Sequence, residues 1–453
     1  MKIIIEGAGE VGSHLAKMLR AEGNDIVVID NDAARLAQIE LSADVQTIEG
    51  NPSSIAVLRN AGVAHADLVI AVYPSAAQEV NIVGALLAKQ LGAAKVVARI
   101  GDEDYLTAEN KLLFKELGIE LMFYPEKIAA DEIVDLLRHG SSSETLDFAH
   151  GRLQIAVFKV DENTPLLDLK LSEFTQGLSA EEAAQFRIIA ISRSDKTIIP
   201  GPDTLFRYND LVFTIARREG AENLVRHFGK KSLSVGRVLI VGGTAVAEMV
   251  ARGLSRQGIE VKLIEKNRER CLELSDHLPN EVQVVNGDGR NSDFLYEEGI
   301  RDCDAFIALS ENDESNVLSC VVAKKFGVPR TVAEVENIEY VRLAEEMGVD
   351  SVINKKLITA GRIFKFTLSG KARFVKYMSG TDAEVIEYTV APGSAITKGP
   401  LKELDFPRGA IIGGVVRGSE SFIAVGDTVI EAYDRVAVFA LPETVREIDR
   451  FFK

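Results

Sequence analysis

The 453-residue sequence has no tryptophan, six histidines and only three cysteines. Cys271, Cys303 and Cys320 form no CxxC pair and leave an odd count. That argues against a disulfide framework and a cysteine-rich zinc site, and suits a reducing, cytoplasmic setting. Long apolar runs are missing too. The longest stretch free of Asp, Glu, Lys and Arg is the 11 residues from Leu68 to Gln78, whereas a membrane-spanning helix needs about 20. The start, Lys2-Ile3-Ile4-Ile5 running into glycines, reads as a strand and not as a signal peptide. Positive charge is in deficit, with 52 Lys+Arg against 68 Asp+Glu and a formal net charge of −16. No nucleic-acid partner is expected, because a backbone binder must replace phosphate counterions with Lys and Arg. The histidines (His14, His65, His139, His150, His227, His277) form no acid–base constellation. Nucleophile-elbow, P-loop and HExxH motifs are absent. Neither a catalytic residue nor a metal ligand is expected.

What is present is a chain written twice. Ile3-Ile4-Ile5-Glu6-Gly7-Ala8-Gly9-Glu10-Val11-Gly12 aligns with Val238-Leu239-Ile240-Val241-Gly242-Gly243-Thr244-Ala245-Val246-Ala247. Ile26-Val27-Val28-Ile29-Asp30 aligns with Val261-Lys262-Leu263-Ile264-Glu265, and Asp67–Ala71 with Asp304–Ala308. Asn81 pairs with Asn316 and Tyr105 with Tyr340. A register held over a hundred residues marks two copies of one unit.

Within the first copy, short β-branched runs (3–5, 26–29, 45–48, 68–72, 95–99) alternate with amphipathic stretches such as 11–22, 32–40, 53–61 and 76–91. This order predicts a parallel sheet with helices on both faces. After Pro125 a helix carries Ile128, Ala129, Ile133, Leu136 and Leu137 on one stripe and stops at Gly140-Ser141-Ser142-Ser143; its counterpart is 355–368. Such a stripe packs either on a neighbouring subunit or within its own chain, and the pattern alone does not choose. Residues 152–216 then read as short strands (153–160, 187–193, 196–200, 210–216), and 372–440 repeat them, with Asp210 matching Asp434. The expected class is α/β: two Rossmann-like, doubly wound parallel-sheet domains, each followed by a small α+β domain, in tandem repeat. The expected boundaries are 1–140, 141–228, a linker at 229–236, 237–370 and 371–453.

Gly7-x-Gly9-x-x-Gly12 follows a strand and opens a helix, the context a dinucleotide fingerprint requires. Gly7 permits the tight turn, Gly9 lets backbone approach a pyrophosphate, and Gly12 lets the helix pack closely. Asp30 ends the second strand, where a carboxylate accepts ribose hydroxyls and repels a 2′-phosphate, favouring NAD(H) over NADP(H). Tyr73-Pro74 closes the fourth strand at the carboxyl edge where ligands of open α/β sheets bind. Arg99 ends the fifth strand, either to neutralise a phosphate or to pair with Glu79 or Asp102; Asn51 stands within reach of an adenine. The second copy keeps Gly242 and the acid (Glu265) but has Thr244, Ala247 and Glu334 where the first has Gly9, Gly12 and Arg99. Its site is expected to be empty, weak or altered in ligand choice.

These motifs, with the Gly50-Asn51 turn and the Gln78-Glu79-x-Asn81 helix start, resemble the RCK (KTN) family of nucleotide-binding domains, and the 152–216 module resembles the RCK C-terminal domain. The tandem duplication is the specific part of that likeness. The resemblance implies a regulatory subunit of a potassium transport system that binds NAD(H) and adenine nucleotides such as ATP or ADP. It implies a tetrameric homo-oligomer, peripheral on the inner face of the membrane through a membrane-embedded transporter of the TrkH or TrkG type. The family's contacts fall on Gly7, Ala8, Gly9, Glu10, Val11, Gly12, Asp30, Tyr73, Pro74 and Arg99 in the first copy. In the second they fall on Gly242, Gly243, Thr244, Ala245, Val246, Glu265, Leu309, Ser310 and Glu334. Two alternatives stay open at this point: an NAD-dependent oxidoreductase with an unrecognised site, and a regulator of another cation transporter.

Overall fold

The computed structural model describes residues 1–138, 144–149, 151–193, 196–229, 235–364, 372–377 and 383–452. The chain forms two compact units, Met1–Ile128 with Lys355–Leu368, and Ala129–Asn354 with Ser369–Lys453.

The first unit is built on β1 (Lys2–Glu6), α1 (Glu10–Ala21), β2 (Asp25–Asp30), α2 (Ala33–Ser42), β3 (Gln46–Glu49), α3 (Ile55–Asn60), β4 (Leu68–Ala71), α4 (Gln78–Gln90), β5 (Lys95–Arg99), α5 (Ala108–Glu116) and β6 (Leu121–Phe123). Its strands run parallel in the order β3-β2-β1-β4-β5-β6, the Rossmann order with its switch point between β1 and β4. Ile3, Ile4 and Ile5 are all fully buried, because helices cover both faces of the sheet; the strands therefore show no polar alternation. Helix starts are capped locally: Asp32 accepts from the N–H groups of Ala34 and Arg35, and Thr107 from that of Asn110. β6 was not read from the sequence, since three residues carry no periodic signal.

The helix after that sheet, α6 (Pro125–Arg138), settles the question its stripe left open. Ile133, Leu136 and Leu137 are buried within their own chain. A Cβ on Gly253, in the helix Ala245–Ser255 of the second Rossmann lobe, would lie 2.9 Å from Val134, and Arg330 donates to the Leu136 carbonyl at 3.1 Å. A neighbouring subunit is not needed to cover this stripe. Conversely, the helix Lys355–Phe364, encoded after the second sheet, packs on α1 in the first unit.

The second lobe repeats the topology, with strands Val282–Asn286, Glu260–Glu265, Arg237–Val241, Ala305–Ala308, Arg330–Glu334 and Ser351–Ile353 side by side in that order. Each satellite is a five-stranded antiparallel sheet. The first includes Glu144–Phe148, a strand inside the expected satellite bounds that is absent from the strands read in the sequence. Asp210 and Asp434 do match: each is buried, takes a two-pronged arginine (Arg193 or Arg417) and accepts one backbone N–H. The two satellites share a core in which Phe148, Val157, Phe213 and Ile215 meet Val385, Val416 and Phe439. Among the described residues no helix is long and apolar enough to cross a membrane, and no group of His, Cys, Asp and Glu could hold a metal. All three cysteines are buried thiols.

Candidate functional site

β1 ends at Glu6 and α1 begins at Glu10, so Gly7-Ala8-Gly9 form the entire turn. Gly7 adopts φ +116°, and a Cβ there would press on Tyr73 and Val72 at 3.1–3.2 Å. Gly12 is required by contact: its Cβ would lie 1.9 Å from the Gly7 carbonyl oxygen. Around Gly9 nothing lies within 4 Å of a Cβ, so that glycine opens space instead of relieving a clash. As the N-cap it offers no side chain to α1. Among the described residues the first N–H groups of the helix, including Glu10 and Val11, have no side-chain acceptor and keep their positive partial charge.

Asp30 is 1% exposed and not the solvated strand end a tip position would suggest. One oxygen accepts from Ala8 N–H at 2.5 Å and the other from Asp32 N–H at 2.9 Å. The carboxylate thus ties the glycine turn to the end of β2, and each oxygen has a second acceptor site beyond its backbone N–H, one of them used by Tyr73. Tyr73 covers this corner. Its ring lies against Gly7, and its hydroxyl accepts from Asn31 N–H at 3.3 Å and bonds Asp30. Burial and the Asp30 charge push the phenol above its ordinary range. Asn81 pins the neighbouring backbone, accepting from Tyr73 N–H and donating to the carbonyls of Tyr73 and Arg99.

Two expected residues stand differently. Arg99 is largely withdrawn from solvent. It pairs with Glu126 of α6 at 3.0 Å, and both side chains are largely buried. Asn51 is exposed, and its side chain accepts from Ser53 N–H, which makes it a turn former. Pro74 is exposed beside Tyr73.

Glu6 was not singled out by the sequence. It is fully buried, its two carboxyl oxygens have no hydrogen-bond partner among the described residues, and it lies over Gly84, whose Cβ would be 2.3 Å from Oε2. Burial raises its pKa to about 8, so it is protonated at neutral pH. The available signal was an acid in an otherwise apolar central strand, where the second copy has Val241.

In the second lobe Gly242 repeats the turn with φ +107°. Thr244 then caps its own helix: Oγ1 accepts from Ala247 N–H at 3.3 Å and donates to the Leu309 carbonyl at 2.9 Å. Arg270 lies over the turn, donating to the Gly243 carbonyl at 2.7 Å and pairing with Glu248 and Glu273 at 2.9 and 3.1 Å. Glu265 accepts from Asn267 N–H at 2.7 Å. Ser310 stands where Tyr73 does, with Asn316 making the same backbone bonds as Asn81. Ala245 and Val246 open the capped helix, Leu309 is buried beneath it, and Glu334 is buried at the Arg99 position.

Two Rossmann lobes in series, each with an antiparallel satellite and one with an open glycine cradle, define a tandem RCK-type chain. The sequence matches the TrkA-N domain over residues 3–125 and 238–355, and the TrkA-C domain over 155–229 and 385–453. The chain belongs to the TrkA family. It is 34% identical to the Trk system potassium uptake protein TrkA of Halomonas elongata, over 100% of this chain and 99% of that one. It is 32% identical to TrkA homolog 1 of Methanosarcina mazei, over the full length of both. In fold it is similar to the crystal structure of the GsuK RCK domain, with TM-score 0.62 and 17% identity over 100% of this chain and 94% of that one. The GsuK channel bound to NAD aligns with TM-score 0.61 and 17% identity, over 100% of this chain and 78% of that one.

Proposed function

We propose that this chain is the nucleotide-sensing regulatory subunit of a Trk-type potassium uptake system. It works at the inner face of the cell membrane as a homo-oligomer, a tetramer in this reading, on a TrkH- or TrkG-like transporter. The observation that carries the proposal is the first-lobe cradle, an uncapped α1 start over an open Gly9 with the Asp30 carboxylate beside it. Relatives across the full chain length carry the Trk potassium-uptake name, and a structural neighbour holds NAD. The pyrophosphate of NAD(H), or the phosphates of ATP or ADP, meets the N–H groups of Gly9, Glu10 and Val11. The ribose hydroxyls take the remaining acceptor sites on Asp30, which requires Tyr73 to yield its place. The second lobe holds no nucleotide in this reading, because Thr244 and Arg270 occupy the corresponding positions. The functional frame is the four-domain one, 1–140, 141–228, 237–370 and 371–453 with a linker at 229–236.

No bond in the nucleotide needs to break. Binding shifts the balance between two arrangements of the subunit by its differential affinity for them, and by no more than that. Calorimetric titration of NAD+, NADH, ATP and ADP tests the site. Wild type binds about one nucleotide per chain, and Asp30→Asn weakens binding at least tenfold with an unchanged circular dichroism spectrum. Equal affinity in the two proteins removes the first-lobe assignment. Steady NADH oxidation with 2-hydroxy acids or aldehydes would instead favour an oxidoreductase.

A further inference from the structure

Arg99, one candidate cation for the first cradle, pairs with Glu126. A second cation stands beside the first residue of α1. Lys356, on the helix Lys355–Phe364, places Nζ 2.7 Å from Oε2 of Glu10, the first residue of α1. The lysine side chain is only 16% exposed while Glu10 is 67% exposed. The lysine is therefore held by packing, and its partner is free to leave. The charge is felt inside the helix pair as well. His14, one turn along α1, has a buried Nε2 with no hydrogen-bond partner among the described residues, and burial with the charges of Lys356 and Lys17 holds its pKa below the ordinary value.

We propose that Lys356 is a phosphate-binding residue of the first lobe's nucleotide site, supplied by the second half of the chain and held in place by Glu10 until ligand arrives. The proposal rests on the reading that adenine nucleotides bind at the start of α1. An incoming pyrophosphate and the Glu10 carboxylate are both anions competing for one helix start and one ammonium. The phosphate, with several oxygens for the α1 N–H groups, displaces Glu10 outward into solvent and takes Lys356. Nucleotide binding thereby acts on a helix encoded after the second sheet, with no further messenger between the lobes. The arrangement also favours ligands with phosphate at this position over adenosine alone.

The test is ADP binding by calorimetry with the full-length chain. Lys356→Gln is expected to weaken ADP about tenfold, the loss of one charge-assisted contact. Lys356→Arg stays within about threefold of wild type, and Glu10→Gln binds ADP about threefold more tightly because the competing anion is gone. In hydrogen exchange, ADP slows the amides of 355–364 in wild type and not in Lys356→Gln. Equal ADP affinity in wild type and Lys356→Gln overturns the proposal while leaving first-lobe binding intact. Absence of ADP binding in wild type overturns it together with the reading it rests on.

Discussion

In the first lobe Gly9 leaves the start of α1 bare, whereas in the second Thr244 stands at the same place and satisfies an N–H with its own hydroxyl. In the first lobe one aromatic residue on a loop, Tyr73, covers the acid at the end of the second strand. In the second an arginine tied to two glutamates lies over the turn. Strand order and turn geometry are the same in both, so the difference is not one of fold. The turn is kept in both copies, and in the second a cap and an ion pair stand where the first has an open glycine. Each change stabilises the second lobe's turn locally. Capping is worth about 1 kcal/mol, and a partly buried guanidinium with two carboxylates keeps its place without ligand.

The largest effect that could break this comparison is at Gly12. The second lobe accommodates Ala247 there, but a Cβ on Gly12 meets the Gly7 carbonyl oxygen at 1.9 Å. Gly12→Ala is expected to cost about 3 kcal/mol and to abolish nucleotide binding, read by thermal melts and calorimetry. An unchanged melt would mean that the two turns are interchangeable.

Next comes Glu6, replaced in the second lobe by Val241. Its folded pKa, raised from 4.5 to about 8, means that the folded lobe keeps a proton the unfolded chain releases. Stability therefore falls as pH rises from about 4.5 to about 8 and levels above that. Glu6→Leu is expected to stabilise the protein at neutral pH by about 2 kcal/mol and to remove this decline; denaturation midpoints from pH 4.5 to 9 test it. A parallel decline in the variant would place its origin elsewhere.

A smaller effect separates the caps. Thr244→Ala should lose about 1 kcal/mol, whereas Gly9→Ala, pointing into open space, should leave stability within about 0.5 kcal/mol while weakening nucleotide binding. Matching responses at the two positions would erase the distinction between lobes. The smallest effect expected is at Tyr73. Tyr73→Ser, the residue of the second lobe, removes the hydroxyl that contests Asp30 and should tighten NADH binding about threefold, or ~0.7 kcal/mol. Weaker binding would make Tyr73 a ligand contact instead of a cover.

Most of the fold was legible because its signals are local. Apolar runs of strand length, glycine turns, and a register repeated over each copy fix strand order once the parallel right-handed crossover is assumed. The strand Leu121–Phe123 escaped because it has only three residues, and Glu144–Phe148 because Glu144, Thr145 and Asp147 leave it no apolar run. At the site the glycines were readable, since Gly7 and Gly12 answer to backbone sterics within one turn. The pairings were not: Arg99 goes to Glu126, Arg270 to Glu248, and Lys356 to Glu10. Each joins residues whose separation along the chain says nothing about their approach in space.

The sequence by itself determined that there are two copies, that each builds a parallel sheet with a satellite, and that the first retains a glycine cradle with an acid. Those properties depend on backbone conformation and on burial along one element at a time. Tertiary structure alone decided that the helix encoded after the second sheet lies on α1, that α6 packs within its own chain, and which charges face each turn. A side-chain pair of this kind exists only when two separately specified surfaces meet, and no local pattern encodes their meeting.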